Sequence, residues 1–376
     1  MGLDDLLANV NKTYGKGTLM RASEASALNM ERIALGIPYL DLALGGGIPR
    51  SRIIKLQGAF STGKTLLALR AASKFQQHCR YCSKKIVNVD MFTGEVLSGG
   101  CKCKEPKPMQ VVWLDAEGAW SNGWAERQGV SLENIYVIQP TYAEQGIDVA
   151  DEVLRSRECD LLVVDSLAAM TPSKEIEAST EDWQMGLHAR LVNKAMRKFT
   201  ASMNTGGLDT TLGKTTVILI NQIRVKLGIV YGNSETTPGG IGQDHHASVI
   251  LRVASRGLIK KKIDKEEVVI GKKMGFDVPK NRTYDPHKSG IYEFYFKDIE
   301  GSRISRGMID IASQWLSLGL ETGFVEKKGA WFYIEEDEEK KALGHGADNA
   351  ADSILGKPDL CREIWEAAKV EEWGSQ

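Results

Sequence analysis

Residues 58–65 read Gly-Ala-Phe-Ser-Thr-Gly-Lys-Thr, the spacing G-x-x-x-x-G-K-[ST]. The segment follows a short apolar run, RIIKLQG (52–58), and opens a helical stretch. In that context the backbone N–H groups of a Gly-rich turn and of the helix N-terminus cradle phosphate oxygens. Gly58, Ser61, Thr62 and Gly63 would shape the cradle, Lys64 would reach the β- and γ-phosphates, and Thr65 would hold Mg²⁺. Such a site needs a second carboxylate for the metal, usually at the end of a neighbouring apolar strand. LLVVD ends in Asp165, with Ser166 beside it; the plain alternative is that Asp165 caps the next helix. Hydrolysis also needs a group to orient water. WLDAEG (113–118) places Asp115 and Glu117 at another strand end, and Glu117, farther beyond it, is the better candidate. A solvated loop acid is the alternative there.

A second constellation is made of sulfur. Cys79, Cys82, Cys101 and Cys103 read C-x₂-C-x₁₈-C-x-C. Two close pairs separated by a hairpin-like stretch suit a tetrahedral Cys₄ zinc site, with Zn–S bonds of ~2.3 Å. A segment this small has little core of its own, so Zn²⁺ would supply most of its folding energy. A redox dithiol pair and unliganded thiols are the alternatives. His78 is a possible substitute ligand; Cys159 and Cys361 are isolated and read as structural. Six cysteines in 376 residues make no disulfide scaffold, and the cluster fits a reducing, cytoplasmic setting.

These residues must be held by elements. RIIKLQG, VVWLD (111–115), IYVIQP (135–140), DLLVVDS (160–166) and TTVILINQ (215–222) are short, β-branched and almost continuously apolar, as in parallel strands covered on both faces. Helical stretches at about 64–77, 142–157 and 180–203 alternate with them. The order is α/β, with ligands expected beyond the carboxyl ends of the strands. ASVILRVAS (247–255) and IYEFYF (291–296) would extend one edge of the sheet. After about 304 a helical SRGMIDIASQWLSLG, a WFYI strand and an acidic helical end suggest a small separate unit. Near the start, Leu3, Leu6, Leu7 and Val10 form an amphipathic pattern whose apolar face needs a partner. No run approaches a membrane span, and MGLDDLLANV has no signal-peptide pattern.

From about residue 10 to 335 the chain resembles the RecA recombinases. The matching blocks are YGKGTLMR, GGGIPRSRIIKLQG, STGKT, DAEGAW, VVDSLAAMTP, MGLHARLVNKAMRK, INQIRVKLGIVYGN, ETTPGG, KNR and EKKGAWF, in the family's order. The resemblance implies a RecA-type P-loop NTPase core with a mostly parallel central sheet, an N-terminal oligomerisation helix and a small α+β C-terminal domain. The expected divisions are 1–33, 34–303 (with a zinc-binding insertion at 78–108) and 304–376. It implies an ATP- and Mg²⁺-dependent, DNA-stimulated ATPase that forms helical filaments on single-stranded DNA and pairs it with homologous duplex DNA, without a membrane. Carried over by motif, Gln222 would sense the γ-phosphate, Trp124 would stack on adenine, and Lys280 and Arg282 would reach the γ-phosphate of a neighbouring subunit.

The DNA side has its own physical logic. Arg190, Lys194 and Arg197 lie at i, i+4 and i+7, on one helical face, with Ser179 and Asp182 as an N-terminal cap. By the same resemblance Met185, Arg224, Lys226, Thr236, Thr237, Gly239 and Gly240 fall in or beside the DNA segments. Only Trp183 and Tyr231 are aromatic in these loops, so base stacking is not the main theme; backbone contacts suit a protein that accepts any sequence.

Three departures stand out. The 78–108 insertion is absent from ordinary family members. Ser121 stands where the family usually has an acid near adenine. Asp244, His245 and His246 replace a basic residue and an aromatic. The formal net charge of −1 conceals an uneven distribution: residues 331–376 carry 12 acids and 5 bases, leaving +6 on the remainder. A detachable-looking acidic end would compete with DNA for the basic body. A branch-migration helicase or repair factor of RecA type, or a DNA-binding filament scaffold with weak hydrolysis, are the alternative readings.

Overall fold

The computed structural model describes residues 2–15, 17–23, 30–87, 99–178, 186–204, 214–225, 235–263, 265–336 and 339–373. Ser179, Asp182, Trp183, Met185, Lys226 and Tyr231 lie outside the described residues.

An eight-stranded sheet organises the molecule. Across it the order is Lys288–Tyr295, Glu266–Asn281, Val249–Ile263, Ile53–Gly58, Thr216–Gln222, Leu161–Asp165, Val111–Asp115 and Ile135–Ile138. The six strands from Val249–Ile263 onward are parallel, and the first two are added antiparallel at one edge. The apolar runs are continuous because both faces of each strand are covered. Val111 and Trp113, with Leu161 and Val163, pack under the helix Lys64–Gln76. Their alternates Val112, Leu114, Leu162 and Val164 pack against Ala143–Ser156 and Leu187–Asn204 on the other face. This is a three-layer α/β/α arrangement, as expected from the alternation of elements.

The antiparallel strand Glu266–Asn281 was not legible in advance. Its sequence carries Gly271, Gly275 and Pro279 together with a Lys pair, all of which argue against a strand taken locally. Pairing with long strands on both sides supplies what propensity does not.

The C-terminal region has its own apolar cluster. Trp315, Leu316 and Leu318 of helix Ile311–Glu321 pack with Phe332, Ile334 and Leu343 of a three-stranded sheet and with Ile354, Cys361 and Ile364 of two closing helices. The expectation of a detachable acidic end is therefore corrected. Residues 339–373 supply a strand and two helices to this cluster. Several of its acids are already paired: Glu336 with Lys341 and Lys357, and Asp352 with Arg303.

The helix Leu3–Tyr14 buries none of its residues; Leu3 and Leu6 are exposed. No described helix is long and apolar enough to cross a membrane.

Candidate active site

The Gly-rich turn is set by the strand before it and the helix after it. Gly63 adopts φ +76°, a left-handed conformation that glycine takes without strain, and serves as the N-cap of Lys64–Gln76. Thr62 Oγ1 donates to the Ala59 carbonyl at 2.8 Å, closing the turn. Lys64 Nζ donates to the carbonyls of Gly58 (3.1 Å) and Ala59 (2.8 Å), so the ammonium is held inside the loop. Burial lowers the Lys64 pKa, against the opposing pull of Asp165 and Glu117.

Three parallel strand ends bring the remaining groups together. Asp115 and Asp165 lie opposite each other in register. Thr65 Oγ1 donates to Asp165 Oδ2 at 2.9 Å, so the two oxygens expected to hold Mg²⁺ already converge. Burial raises the Asp165 carboxyl to about 6; Thr65 and Lys64 oppose that rise while Glu117 and Asp115 add to it. A buried carboxyl ringed by acids is a fit host for a divalent cation. Asp115 itself turns away to accept the backbone N–H groups of Ala119 (3.1 Å) and Trp120 (2.9 Å) and an N–H of Gln139 (3.2 Å). Glu117 is left facing the cavity. Its Oε1 accepts from Ser166 Oγ at 2.5 Å and from Gln222 Nε2 at 3.4 Å.

These groups line one cavity of about 500 Å³ that includes Ser61, Thr62, Gly63, Lys64, Thr65, Glu117, Trp124, Asp165 and Gln222. Its far wall is aromatic: Trp124 meets Phe294 edge-on at 6.4 Å, and Phe296 stands beside Phe294. Ser121, at the unusual position, caps the short helix Asn122–Arg127 by accepting the Trp124 N–H at 3.4 Å, so it orients the tryptophan. Sequence reasoning missed Phe294, Phe296, Met274 and Lys272, whose Nζ donates to the Ser61 carbonyl at 3.3 Å. All four come from the antiparallel edge, so without its strand order no local signal places them at the site.

Lys280 and Arg282 do not line this cavity. Lys280 Nζ donates to the Asp244 and His245 carbonyls. On the adjoining surface Arg190, Asn193, Arg197 and His246 border a concavity of about 410 Å³. Arg190, Lys194 and Arg197 are exposed along one face of Leu187–Asn204, while Val192, Ala195, Met196 and Phe199 bury the other. Gly239 fits against that helix: a Cβ there would lie 3.0 Å from Val192. Thr236 pairs with Arg224 in a two-residue ladder, and Thr236, Thr237 and Gly240 line a small cavity with Gln57, Asp244 and Arg252. The DNA-side residues that are described thus gather in one region, reached from Gln222 along its own strand.

The four cysteines also converge. Their sulfurs all lie within 4.8 Å of one another, with Cys79–Cys103 at 3.9 Å and Cys82–Cys101 at 3.5 Å. His78 is outside the cluster, its Nδ1 2.7 Å from the Lys74 carbonyl. Cys159 and Cys361 are buried singly. Burial opposes ionisation of Cys79, but N–H groups from Tyr81 and Cys82 outweigh it and lower the thiol to about 7. Neighbouring Cys101, with burial, pushes Cys103 up to about 12. Such a disparity between adjacent thiols is what a shared divalent cation would remove.

A P-loop at the end of a parallel strand, a carboxylate two strands away and a glutamine amide at the end of the strand between them define a P-loop ATPase of RecA type. The comparisons with known proteins carry this further. The RecA N-terminal domain model matches residues 1–90 and 101–300, and the RecA C-terminal domain model matches 313–371. The break at 91–100 falls inside the cysteine-bearing insertion. Protein RecA of Streptomyces ambofaciens is 35% identical over 370 residues, covering 98% of this chain and 85% of that protein. Protein RecA of Rhizobium leguminosarum bv. viciae is 35% identical over 364 residues (96% and 89%), and that of Acidiphilium cryptum is 34% identical over 373 (98% and 93%). The chain belongs to the RecA family of DNA-dependent ATPases and recombinases, which use ATP and Mg²⁺, bind single-stranded DNA and form filaments.

Proposed function

We propose that this chain hydrolyses ATP between neighbouring subunits of a filament on single-stranded DNA and pairs that strand with a homologous duplex. The observation that carries the reading is the position of Glu117. One carboxylate oxygen is shared by Ser166, beside the metal-facing Asp165, and by Gln222, at the entry to the DNA segment. Water activation and DNA contact therefore meet at one atom.

In this reading the loop N–H groups and Lys64 hold the phosphates, while Thr65 and Asp165 hold Mg²⁺, which neutralises charge on the departing diphosphate. Glu117 accepts a proton from the water that attacks the γ-phosphorus, and the bond to the β-phosphate oxygen breaks. Gln222, able to bond either Glu117 or a γ-phosphate, reports which partner is present. Trp124, with Phe294 and Phe296, supplies the base-stacking wall. Lys280 and Arg282, remote from their own cavity, act on a neighbour's nucleotide, an arrangement that makes turnover depend on assembly. The apolar face of Leu3–Tyr14, none of whose residues is buried among the described ones, supports packing on an adjacent copy. Arg190, Lys194, Arg197, Arg224, Lys226 and the Thr236–Gly240 stem track the DNA backbone, with Met185 beside them. The Cys₄ cluster binds zinc, and the protein works in the cytoplasm. The divisions at 1–33, 34–303 and 304–376 are proposed on the same basis.

The test is the ATPase rate with and without single-stranded DNA, with electron microscopy of the same samples. Stimulation together with DNA-dependent filaments is expected; neither would remove the recombinase reading.

A further inference from the structure

The central strand Ile53–Gly58 contains a charge that the catalytic reading does not use. Lys55 is fully buried, on the second strand of the parallel array, between Val249–Ile263 and Thr216–Gln222. An ammonium there costs desolvation that an aliphatic residue would avoid, so its partners are informative. Lys55 Nζ donates to Asp244 Oδ1 at 2.5 Å and to Thr237 Oγ1 at 2.9 Å. Both partners belong to the segment that closes the second DNA loop, and Asp244 is one of the positions at which this chain departs from the family pattern.

The stem formed by residues 236–246 carries little apolar surface to hold it by. Its one large apolar side chain, Ile241, is 75% exposed. The remaining grips are polar. Asn221 Nδ2 donates to the Pro238 carbonyl and to Gln243 Oε1, each at 2.8 Å. Gln243 Nε2 donates to the carbonyls of Pro238 (2.7 Å) and Gly240 (2.9 Å). Asn221 and Gln243 are themselves fully buried. Lys55 lies three residues before Gly58, where the P-loop begins, and Asn221 immediately precedes Gln222. The stem is therefore fastened to the two strands that end in the nucleotide cavity, in addition to the Lys280 bonds to the Asp244 and His245 carbonyls, the Thr200–His246 contact at 2.9 Å and the close approach of Gly239 to Val192.

We propose that Lys55, paired with Asp244 and Thr237, is a positioning residue that fixes the exit stem of the second DNA loop to the P-loop strand. The pair sets where Thr236–Gly240 presents its N–H and hydroxyl groups to a phosphate backbone. Lys55 touches neither nucleotide nor DNA; it acts through the stem. This rests on the DNA-binding role proposed for that stem.

The test compares Lys55→Met, Asp244→Asn and the exchanged pair Lys55→Glu/Asp244→Lys. Two quantities are read: the oligo(dT) concentration giving half-maximal ATPase, and the dissociation constant of a fluorescent ATP analogue without DNA. Each single substitution should raise the first by at least about tenfold, because the stem loses a buried ionic anchor, while leaving the second within about twofold. The exchanged pair should recover most of the loss, which a merely space-filling role would not allow. Wild-type DNA dependence in a folded Lys55→Met or Asp244→Asn protein would overturn the proposal, as would an exchanged pair no better than either single variant. Should Lys55→Met not fold, Asp244→Asn, altered at the half-exposed end of the pair, decides it. An unmodified protein whose ATPase ignores oligo(dT) would instead refute the DNA-dependent reading itself.

Discussion

Substituting Cys82 by serine is expected to cost the protein its metal and part of its stability while sparing its chemistry. Zn–S bonds of ~2.3 Å in a tetrahedron place sulfurs about 3.8 Å apart. The observed separations of 3.9 and 3.5 Å bracket that value and are far from the ~2.05 Å of a disulfide. The cluster begins just past the end of Lys64–Gln76, a 13-residue helix whose first residue is the P-loop lysine. At 1.5 Å per residue the helix is about 20 Å long, more than twice the screening length of ~8 Å at physiological salt. The metal's charge therefore does not reach the phosphates. A site held at a thousand times its dissociation constant contributes about 4 kcal/mol, which in a chain of this size shifts melting by about 5 °C. The assay is metal analysis and calorimetry of reduced protein, with ATPase measured at 25 °C on the same preparation. One zinc per chain, a lower melting temperature in Cys82→Ser and a nearly unchanged rate are expected. Metal-free reduced protein, or a Cys82→Ser variant that melts with its parent, would refute the Cys₄ site. A folded variant with a collapsed rate at 25 °C would refute the separation between metal and chemistry.

Lys64→Ala should abolish hydrolysis, whereas Lys280→Ala should retain nucleotide binding by the monomer and lose filament turnover; intact DNA-stimulated hydrolysis in Lys280→Ala would disprove action across the interface. Asp165→Asn should lose Mg²⁺-dependent turnover yet melt higher than its parent at pH 7.5 without Mg²⁺. The folded carboxyl titrates at about 6 rather than 3.8, so the native state holds a proton that the unfolded chain has released. Stability thus falls as pH rises through that window, by about 3 kcal/mol in full above it, and calorimetry from pH 4 to 7.5 should show the two proteins converging at the acid end. Arg197→Ala should lower the slope of log affinity against log salt for single-stranded DNA by about 0.7, one phosphate contact; an unchanged slope would remove Arg197 from the DNA surface. Truncation after residue 335 should expose Trp315, Leu316 and Phe332 and yield insoluble or protease-sensitive protein, rather than a folded chain with tighter duplex binding.

The parallel half of the fold was legible because most of its strands are short and apolar on both faces, and because three of them end at or just before a residue of the nucleotide cavity: Ile53–Gly58, Leu161–Asp165 and Thr216–Gln222. Lys64, Thr65, Asp165 and Glu117 could be placed from such strand ends alone. Phe294, Phe296 and Lys272 could not, since they reach the cavity only through an antiparallel ribbon whose middle strand carries glycines, a proline and lysines. Its identity as a strand is set by neighbours far away in sequence, not by local propensity. The same holds for Lys55. In sequence it interrupts an apolar run, and only the loop that returns to meet it explains the charge. The cysteine spacing was readable, but that His78 faces away from the cluster depends on the helix end that carries it.

The charge distribution gains a different meaning once the C-terminal region is seen to be folded. An acidic tail free to move would lie over the basic body and compete with phosphates in a salt-dependent way. Here Glu326, Glu336, Asp352 and Asp359 are each within ion-pair distance of a base of the same C-terminal region or of Arg303 just before it, and the helices bearing Asp352 and Asp359 are anchored by Ile354, Cys361 and Ile364. Exposed pairs of this kind add little stability, but they hold the acids close to their own partners. Among the described residues Arg190, Lys194 and Arg197 have no such internal acids on their face: Lys198, one residue on, pairs with Asp148 and Asp151. On this helix the exposed cations are therefore those at i, i+4 and i+7, the spacing proposed for a phosphate-tracking face. A chain of net charge −1 can present a locally basic face because several of its acids are paired within the C-terminal region, and the sum over the sequence conceals that arrangement.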